Sequence, residues 1–243
     1  MATIPVRKTC IQERLLSETI AERRSTPTFD GTPIPDEALF KILQAGIESP
    51  SGYNLQPWRF IVVRDVELKK RLRVASMGQA KVEEAGAVIV CCGDLNATHG
   101  ENLDRVLAGA AKHGFSEAQN QKVKQVVSKI FGAPTDAALH ATPDYSVWIT
   151  RQVTIAFTTM MWMAEALGFD TAPMEGFFEE KVKAVLNIPD HVRVVGLLCI
   201  GKRKGPDKNY PGRHEMSYVC FAEGWGNAIN FQGLTAVEEW DGW

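Results

Sequence analysis

The sequence predicts a single domain in which a central β-sheet is covered by helices on both faces. Three short runs rich in β-branched residues have the composition of strands, while four longer stretches place apolar residues at helical spacing. Tight hairpin turns do not join the predicted strands, so helices must connect them and cover the sheet. The length of 243 residues suits one large domain, and we expect 1–243 to form a single unit.

The predicted strands are short apolar runs bounded by glycine or polar residues. They are rich in valine and isoleucine, which favour extended backbone because branched side chains pack well on a pleated surface. We expect all three to be central strands of one sheet, at residues 59–65, 87–94 and 192–202.

The predicted helices place apolar residues at every third or fourth position. One helix opens with Pro35, Asp36 and Glu37, which is a typical helix start. Another ends at Gly168, where glycine can adopt the left-handed conformation that caps a helix C-terminus. The four helices are expected at residues 10–22, 36–48, 146–168 and 178–186.

Two segments do not follow this plan. Residues 95–144 are polar and dotted with glycine, which suggests a lid-like excursion from the core that could cover a site. Residues 216–243 hold three of the six tryptophans, and leaving these rings in water would be costly. We therefore expect 216–243 to be a C-terminal arm that lies on a further surface.

Composition and charge argue against several classes of function. With 27 basic and 29 acidic residues the net charge is −2, so no global field would hold nucleic acid or a membrane, and a small molecule is the expected partner. The N-terminal residues lack a secretion signal, and residues 153–169 are too short to span a membrane, so we expect cytoplasmic residence. The five cysteines contain no C-x-x-C pair, and Cys91, Cys92 and Cys199 are expected to be buried, reduced thiols.

Motifs for several common catalytic chemistries are missing. The chain has neither G-x-G-x-x-G after a strand nor G-x-x-x-x-G-K-[ST], and neither G-x-S-x-G nor H-E-x-x-H. The five histidines lack metal-ligand spacing, so no metal site is expected. Glu175, Glu179 and Glu180 could act as general acid and base, but carboxylates at a helix start more often complement the helix dipole.

Two segments carry groups suited to ligand binding. Arg23-Arg24-Ser25 lies between two predicted helices and offers two guanidinium forks and a hydroxyl, which is phosphate-recognition chemistry. A pair of arginines on a surface is, however, usually solvated. Residues 49–60, SPSGYNLQPWRF, concentrate hydrogen-bonding side chains in a loop that prolines and glycine keep from becoming helical. Such a loop can bind a polar chain or the edge of a heterocycle.

In combination, these motifs resemble the nitroreductase family. The resemblance rests on R-R-S at 23–25, S-P-S-G-Y-N-L-Q-P-W-R-F at 49–60, P-M-E-G-F at 173–177 and P-G-R at 211–213. It spans residues 20–225 and is weakest in the middle excursion. It implies an α+β nitroreductase-like sandwich with a central mixed sheet covered by helices on both faces. It also implies an intertwined homodimer with C-terminal arm exchange, in which 216–243 would bury its tryptophans on the second subunit.

The resemblance also implies an FMN site. Residues that would bind the phosphate and lower ribityl chain are Arg23, Arg24, Ser25 and, later in the chain, Arg213. Residues that would reach the flavin from the other subunit are Pro50, Ser51, Gly52 and Asn54, with Gln56 a weaker candidate. Residues that would lie against the ring and offer backbone N–H groups to N5 and O4 are Pro173, Met174, Glu175 and Gly176.

One position departs from the family pattern. Many relatives carry a basic residue two positions after the serine, near N1 and O2 of the ring, where reduced flavin is anionic. This chain has Pro27 there. Either Lys81 or Arg24 supplies the charge, or the flavin potential is lower than in typical relatives. An exposed, solvated lysine is the alternative reading of Lys81.

The implied activity is an FMN-dependent oxidoreductase. Hydride from NAD(P)H would pass through flavin N5 to a small organic acceptor of the nitroaromatic or quinone type, in a ping-pong sequence. The chemistry would belong to FMN, so no catalytic side chain is expected. Two alternatives stay open: a flavin-binding or flavin-sensing protein without turnover, and a family variant such as a dehalogenase or a flavin-fragmenting enzyme.

Overall fold

The computed structural model describes residues 15–131, 145–206 and 208–229. The helices are α1 (Leu16–Glu22), α2 (Asp36–Ile47), α3 (Val66–Ala75), α4 (Ala80–Glu84), α5 (Gly100–Lys112), α6 (Glu117–Phe131), α7 (Tyr145–Ala166), α8 (Glu179–Leu186) and α9 (Met216–Val219). A 3-10 turn spans Gly52–Asn54, and the strands are β1 (Trp58–Val63), β2 (Ala87–Asp94), β3 (Asp170–Met174) and β4 (Val192–Gly201).

The four strands form one sheet in the order β1-β2-β4-β3, and all three pairings are antiparallel. A parallel contact comes from Ser25, which forms an isolated bridge with Thr171 of β3. The predicted strands are all present, and two of them are central as expected. The exception is β1, which lies at an edge of the described sheet and is only half-buried over its middle residues.

Strand β3 was not predicted, because its sequence DTAPM is short and contains proline. Proline cannot donate a hydrogen bond to a neighbouring strand, so it argues against a central strand. Its place at the edge of the sheet removes this objection, since Pro173 needs a partner on one side only. The tertiary arrangement thus allows a strand that the local sequence pattern disfavours.

The central strands are covered on both faces. Ile89 and Cys91 of β2 pack into a core with helices α2 and α7, while the alternate residues Val88 and Val90 pack into a second core on the side of α3 and α8. A strand buried on both sides reads as a continuous apolar run instead of an alternating one. The predicted covering of the sheet by helices is therefore confirmed.

The predicted helices agree with α2, α7 and α8. Helix α1 begins at Leu16, later than predicted, because Leu15 has the extended backbone of an N-cap, and residues 10–14 lie outside the described ranges. Gly168 has the expected left-handed backbone, with φ of +77°. Helix α3 was not predicted because its sequence is strongly charged. A capping signal was present, since the Asp65 carboxylate accepts the Leu68 N–H at 2.8 Å.

The first part of the predicted excursion 95–144 is a pair of helices, α5 and α6. Leu103, Val127 and Phe131 from this pair form a small cluster of buried residues with Leu55. The pair is thus packed on the loop before β1, and residues 132–144 lie outside the described ranges. The lid-like role of 95–144 stays a prediction.

The three predicted thiols Cys91, Cys92 and Cys199 are buried and free, as expected. Burial raises the pKa of Cys92 and of Cys199 to about 12, because a thiolate would lose its hydration. These groups therefore stay protonated and behave as small apolar side chains. Within the described ranges, no helix combines the length and apolar composition needed to cross a membrane.

Candidate functional site

The R-R-S segment lies against the first residues of β3. Ser25 bridges to Thr171, and the Thr26 N–H donates to the Thr171 carbonyl at 2.9 Å. Because Pro173 and Met174 complete β3, this pairing brings the first predicted motif beside the P-M-E-G motif. The two motifs are far apart in the sequence, and only the sheet edge joins them.

Two of the predicted phosphate ligands meet at one aromatic ring. The guanidinium carbon of Arg24 lies 4.6 Å from the Tyr210 ring centroid, and that of Arg213 lies 5.3 Å from the same centroid. Both arginines are also anchored by backbone carbonyls: Arg24 Nη1 donates to Ala21 at 2.6 Å, and Arg213 Nη1 donates to Gly212 at 2.6 Å. The structure therefore unites the early and the late arginine in one cationic cluster.

Arg23 takes a different direction from its neighbour. Its guanidinium carbon lies 6.0 Å from the ring of Trp162 on α7. Ser25, the residue that follows Arg24 in the chain, is exposed, and Pro27 is exposed as well. Of the three R-R-S residues, Arg24 and Ser25 are thus the best placed to meet a ligand together with Arg213.

The P-M-E-G segment is held by Gln79, a residue that was not among the predicted site residues. The Gln79 side chain donates from Nε2 to the Gly176 carbonyl at 2.9 Å. Within the described residues, the N–H groups of Glu175 and Gly176 donate to no protein acceptor. Lys81 follows two residues after Gln79, in the first turn of α4. The sequence signal that could have identified Gln79 is its side-chain amide, two residues before the predicted Lys81.

Glycine at position 176 leaves room for the Gln79 side chain, which would have to shift by a few tenths of an ångström to accept a Cβ there. A Cβ there would lie 3.1 Å from Gln79 Nε2, which is closer than an ordinary van der Waals contact. Across the same peptide group, the Phe177 N–H donates to the Glu175 carbonyl at 3.0 Å, so the N–H groups of Glu175 and Gly176 are the ones left without a partner among the described residues. Glu175 is exposed beside it.

The predicted loop 50–56 uses its polar groups to hold its own shape. Ser51 Oγ accepts the Gln56 N–H at 3.0 Å, and the Gln56 amide donates to the Asn54 carbonyl at 3.1 Å. The Gly52 N–H donates to Gln152 Oε1 of α7 at 2.8 Å. Pro50 is exposed, and the Asn54 side chain makes no hydrogen bond to the described residues. Ser51 and Gln56 therefore act first as structural groups.

The backbone of loop 50–56 is also strained, and aromatic rings pack against the loop. Tyr53, Asn54 and Gln56 have φ of +53°, +55° and +46°, a region that residues other than glycine seldom adopt. Trp148 lies under Gly52, where a Cβ would approach its ring to 3.3 Å. Phe131 contacts both the Trp148 ring, at 4.7 Å between centroids, and the Tyr53 ring, at 6.4 Å.

The loop does not reach the cationic cluster in the same chain. Among the described residues, no hydrogen bond, ion pair or ring contact joins residues 50–56 to Arg24, Ser25 or Arg213. The predicted site residues thus form two separate groups within this chain.

A large open cleft of about 850 Å³ shares only Gln56 with the predicted site. Its charged groups are largely paired with each other. Arg59 contacts the Asp94 carboxylate at 2.8 Å and the Asn102 amide oxygen at 3.0 Å, and Arg105 contacts Glu101 at 2.7 Å. Because this polar lining is already paired, we do not assign the cleft to the site.

Of the glutamates considered as acid and base, Glu179 has a different role. Glu179 receives the Arg193 side chain at 2.9 Å and the Val194 N–H at 2.9 Å. Burial by itself raises the pKa of Glu179, but these bonds and the charges of Arg193 and Lys183 outweigh it, so the pKa lies below its usual range. Glu179 therefore joins α8 to the start of β4, which is a structural role.

Known proteins resemble this chain over most of its length. Residues 20–202 match the model of the nitroreductase family. An NADH dehydrogenase of Thermus thermophilus is 37% identical over 180 residues, which cover 74% of this chain and 82% of that protein. A Bacillus subtilis protein named as an NAD(P)H nitroreductase, MhqN, is 31% identical over 186 residues, which cover 76% of this chain and 87% of that protein.

A solved structure confirms the predicted fold class. A protein of Exiguobacterium sibiricum, described as a nitroreductase in complex with FMN, has a TM-score of 0.69 and 27% identity. The similarity covers 82% of this chain and 94% of that one. The agreement of fold, motifs and relatives leads to one conclusion: the chain belongs to the nitroreductase family.

Proposed function

We propose that the chain is an FMN-dependent oxidoreductase that uses NAD(P)H to reduce a small organic acceptor of the nitroaromatic or quinone type. The observation that carries the proposal is the cluster in which Arg24 and Arg213 share the Tyr210 ring beside Ser25. The names of the relatives support it, since they include an NAD(P)H nitroreductase and a nitroreductase in complex with FMN.

The hydrogen-bond donors of the site fit both ends of FMN, the phosphate and the ring system. Two guanidinium groups and a hydroxyl suit a phosphate dianion, because each charge-assisted hydrogen bond is short and strong. The N–H groups of Glu175 and Gly176 suit an uncharged acceptor on a heterocycle, and Pro173 and Met174 lie in the strand that leads to them. Arg23 would assist from the side of Trp162.

Bound FMN would supply the redox chemistry at N5, which accepts and returns electrons. The residues of this chain would bind and orient. Gln79 holds the Gly176 carbonyl and so steadies the segment whose Glu175 and Gly176 N–H groups would bind the ligand. Lys81, two residues later, is the residue of this segment that could supply the positive charge absent at Pro27.

The loop 50–56 would serve the flavin of a second subunit. Its separation from the cationic cluster within one chain supports this arrangement. Large apolar side chains also stand exposed on α2 and α7, among them Phe40 at 66% and Ile155 at 40%, and Trp225 is 92% exposed. A homodimer would cover such surfaces at a gain of about 25 cal/mol per Å². The arm exchange of 216–243 and the cytoplasmic location remain predictions, and residues 230–243 lie outside the described ranges.

Cofactor content and steady-state kinetics test the proposed activity. The purified protein should be yellow and release FMN, not FAD. With NAD(P)H and a quinone both varied, double-reciprocal plots should give parallel lines, because donor and acceptor would use one site in turn. Intersecting lines would show that both substrates bind together. Flavin without NAD(P)H consumption would favour the flavin-sensing alternative, and protein that cannot be reconstituted with FMN would exclude the assignment.

Removal of residues 216–243 tests the dimer. The shortened chain keeps Arg24, Ser25, Tyr210 and Arg213 but loses the proposed arm. We expect weaker dimerisation and weaker FMN binding together, because a ligand that binds only the assembled state stabilises it by mass action. A monomer in sedimentation that retains full FMN affinity would show that the site is complete within one chain.

A further inference from the structure

We infer that Tyr210 is a positioning residue that holds Arg24 and Arg213 together as one phosphate-binding pair. This inference rests on the proposed function, because the pair is assigned to the FMN phosphate. Tyr210 belongs to none of the motifs that predicted the site. It lies one residue before the P-G-R motif and is partly exposed.

The geometry places one ring within reach of both cations. The guanidinium carbons lie 4.6 Å and 5.3 Å from the Tyr210 centroid, and both values are inside the distance at which a ring face attracts a cation. Among the described residues, no hydrogen bond or ion pair links the Arg213 side chain to the R-R-S segment. The Tyr210 ring is therefore the contact that joins the two arginines across the chain.

The pair needs such a contact for two reasons. Two like charges near each other repel, and the electron-rich face of an aromatic ring offsets part of that repulsion. Residues 208–215 are also exposed and have no regular structure, so Arg213 is not part of a helix or strand that would orient it. A side chain ordered before the ligand arrives loses less conformational freedom on binding, which improves affinity.

The arginines keep donors available while the ring holds them. Arg24 uses Nη1 for the carbonyls of Ala21 and Arg23, and Arg213 uses Nη1 for the carbonyl of Gly212. Within the described residues, Nη2 and Nε of both side chains make no hydrogen bond. Two N–H edges therefore remain for the oxygen atoms of a phosphate, in the geometry that guanidinium groups prefer.

A comparison of FMN with riboflavin, which lacks the phosphate, tests this role. Dissociation constants for the full-length apoprotein would be measured by quenching of flavin fluorescence for wild type, Tyr210→Leu and Tyr210→Phe. The Leu variant removes the ring, and the Phe variant keeps it without the hydroxyl. We expect Tyr210→Leu to weaken FMN binding about 5- to 30-fold, the sum of two cation–π contacts. Riboflavin binding should stay unchanged, and Tyr210→Phe should stay within about twofold of wild type.

Several outcomes would overturn the inference. Equal loss of FMN and riboflavin affinity in Tyr210→Leu would indicate a general structural role, and unchanged FMN affinity would show that the ring is dispensable. A Phe variant as weak as the Leu variant would assign the effect to the hydroxyl. In an Arg213→Ala background, Tyr210→Leu should have a smaller effect, because one of its two partners is gone, and an undiminished effect would contradict the positioning role.

The same measurements separate the inference from the proposed function. If wild type binds FMN no more tightly than riboflavin, the phosphate site itself is wrong and the inference is wrong with it. If wild type prefers FMN and Tyr210→Leu keeps that preference, only the role of Tyr210 is wrong.

Discussion

The two polar groups of the candidate site differ in what their hydrogen-bonding atoms do. In loop 50–56, Ser51, Gly52 and Gln56 are bonded within the loop or to Gln152. In the cationic cluster, Arg24 and Arg213 keep Nη2 and Nε free of bonds to the described residues. The difference teaches that polar residues in a motif can build the shape of a site or offer groups to a ligand, and that the sequence shows both as the same signal.

The largest expected effect is a loss of FMN affinity at nearly unchanged stability, caused by removal of a side chain that is directed at the ligand. Arg213→Ala should weaken FMN binding by about 1.5–3 kcal/mol, the range of a hydrogen bond to a charged group, and should change the free energy of unfolding by less than about 0.5 kcal/mol. Titration with FMN and urea denaturation of the apoprotein would measure the two quantities. Lys204→Ala is the matched control, because it removes an exposed positive charge elsewhere. An equal loss of affinity in the control would assign the effect to net charge.

The next effect concerns loop 50–56, where we expect a loss of stability and not the loss of a group that binds the ligand. Ser51→Ala removes the acceptor of the Gln56 N–H in a strained loop, and should lower the free energy of unfolding by about 1 kcal/mol. Urea denaturation of the apoprotein measures it, and Ser51→Thr keeps the hydroxyl as a control. If Ser51→Ala instead left stability intact and weakened FMN as Arg213→Ala does, Ser51 would be a direct ligand group and the contrast would be lost.

The smallest effect is expected at Asn54, whose side chain is exposed and makes no hydrogen bond within the described residues. Glycine is the suitable replacement, because it adopts the observed φ of +55° without strain. Asn54→Gly should change the free energy of unfolding by less than about 0.5 kcal/mol. It should weaken FMN binding by about 1 kcal/mol, and only at protein concentrations at which the subunits are associated. An equal weakening at protein concentrations below the dimer dissociation constant would place Asn54 in the site of its own chain.

Much of the fold could be predicted from local patterns. The run of β2 is apolar throughout because helices cover both of its faces, and such runs are visible without knowledge of the partners. Gly168 was visible as a helix end because a left-handed backbone favours glycine. The motifs containing Arg24 and Arg213 were visible because few other residue types suit a phosphate.

The sequence by itself thus determined the family, the central strands β2 and β4 and the residue types of the site. Tertiary structure alone decided which of those residues meet. Proline in β3 is acceptable only because that strand lies at an edge of the described sheet, and Tyr210 joins Arg24 to Arg213 only after the chain has folded. The bond from Gln79 to Gly176 likewise joins segments distant in sequence. Local patterns record whether a residue is buried and how its backbone bends, whereas such contacts depend on partners that only packing brings within reach.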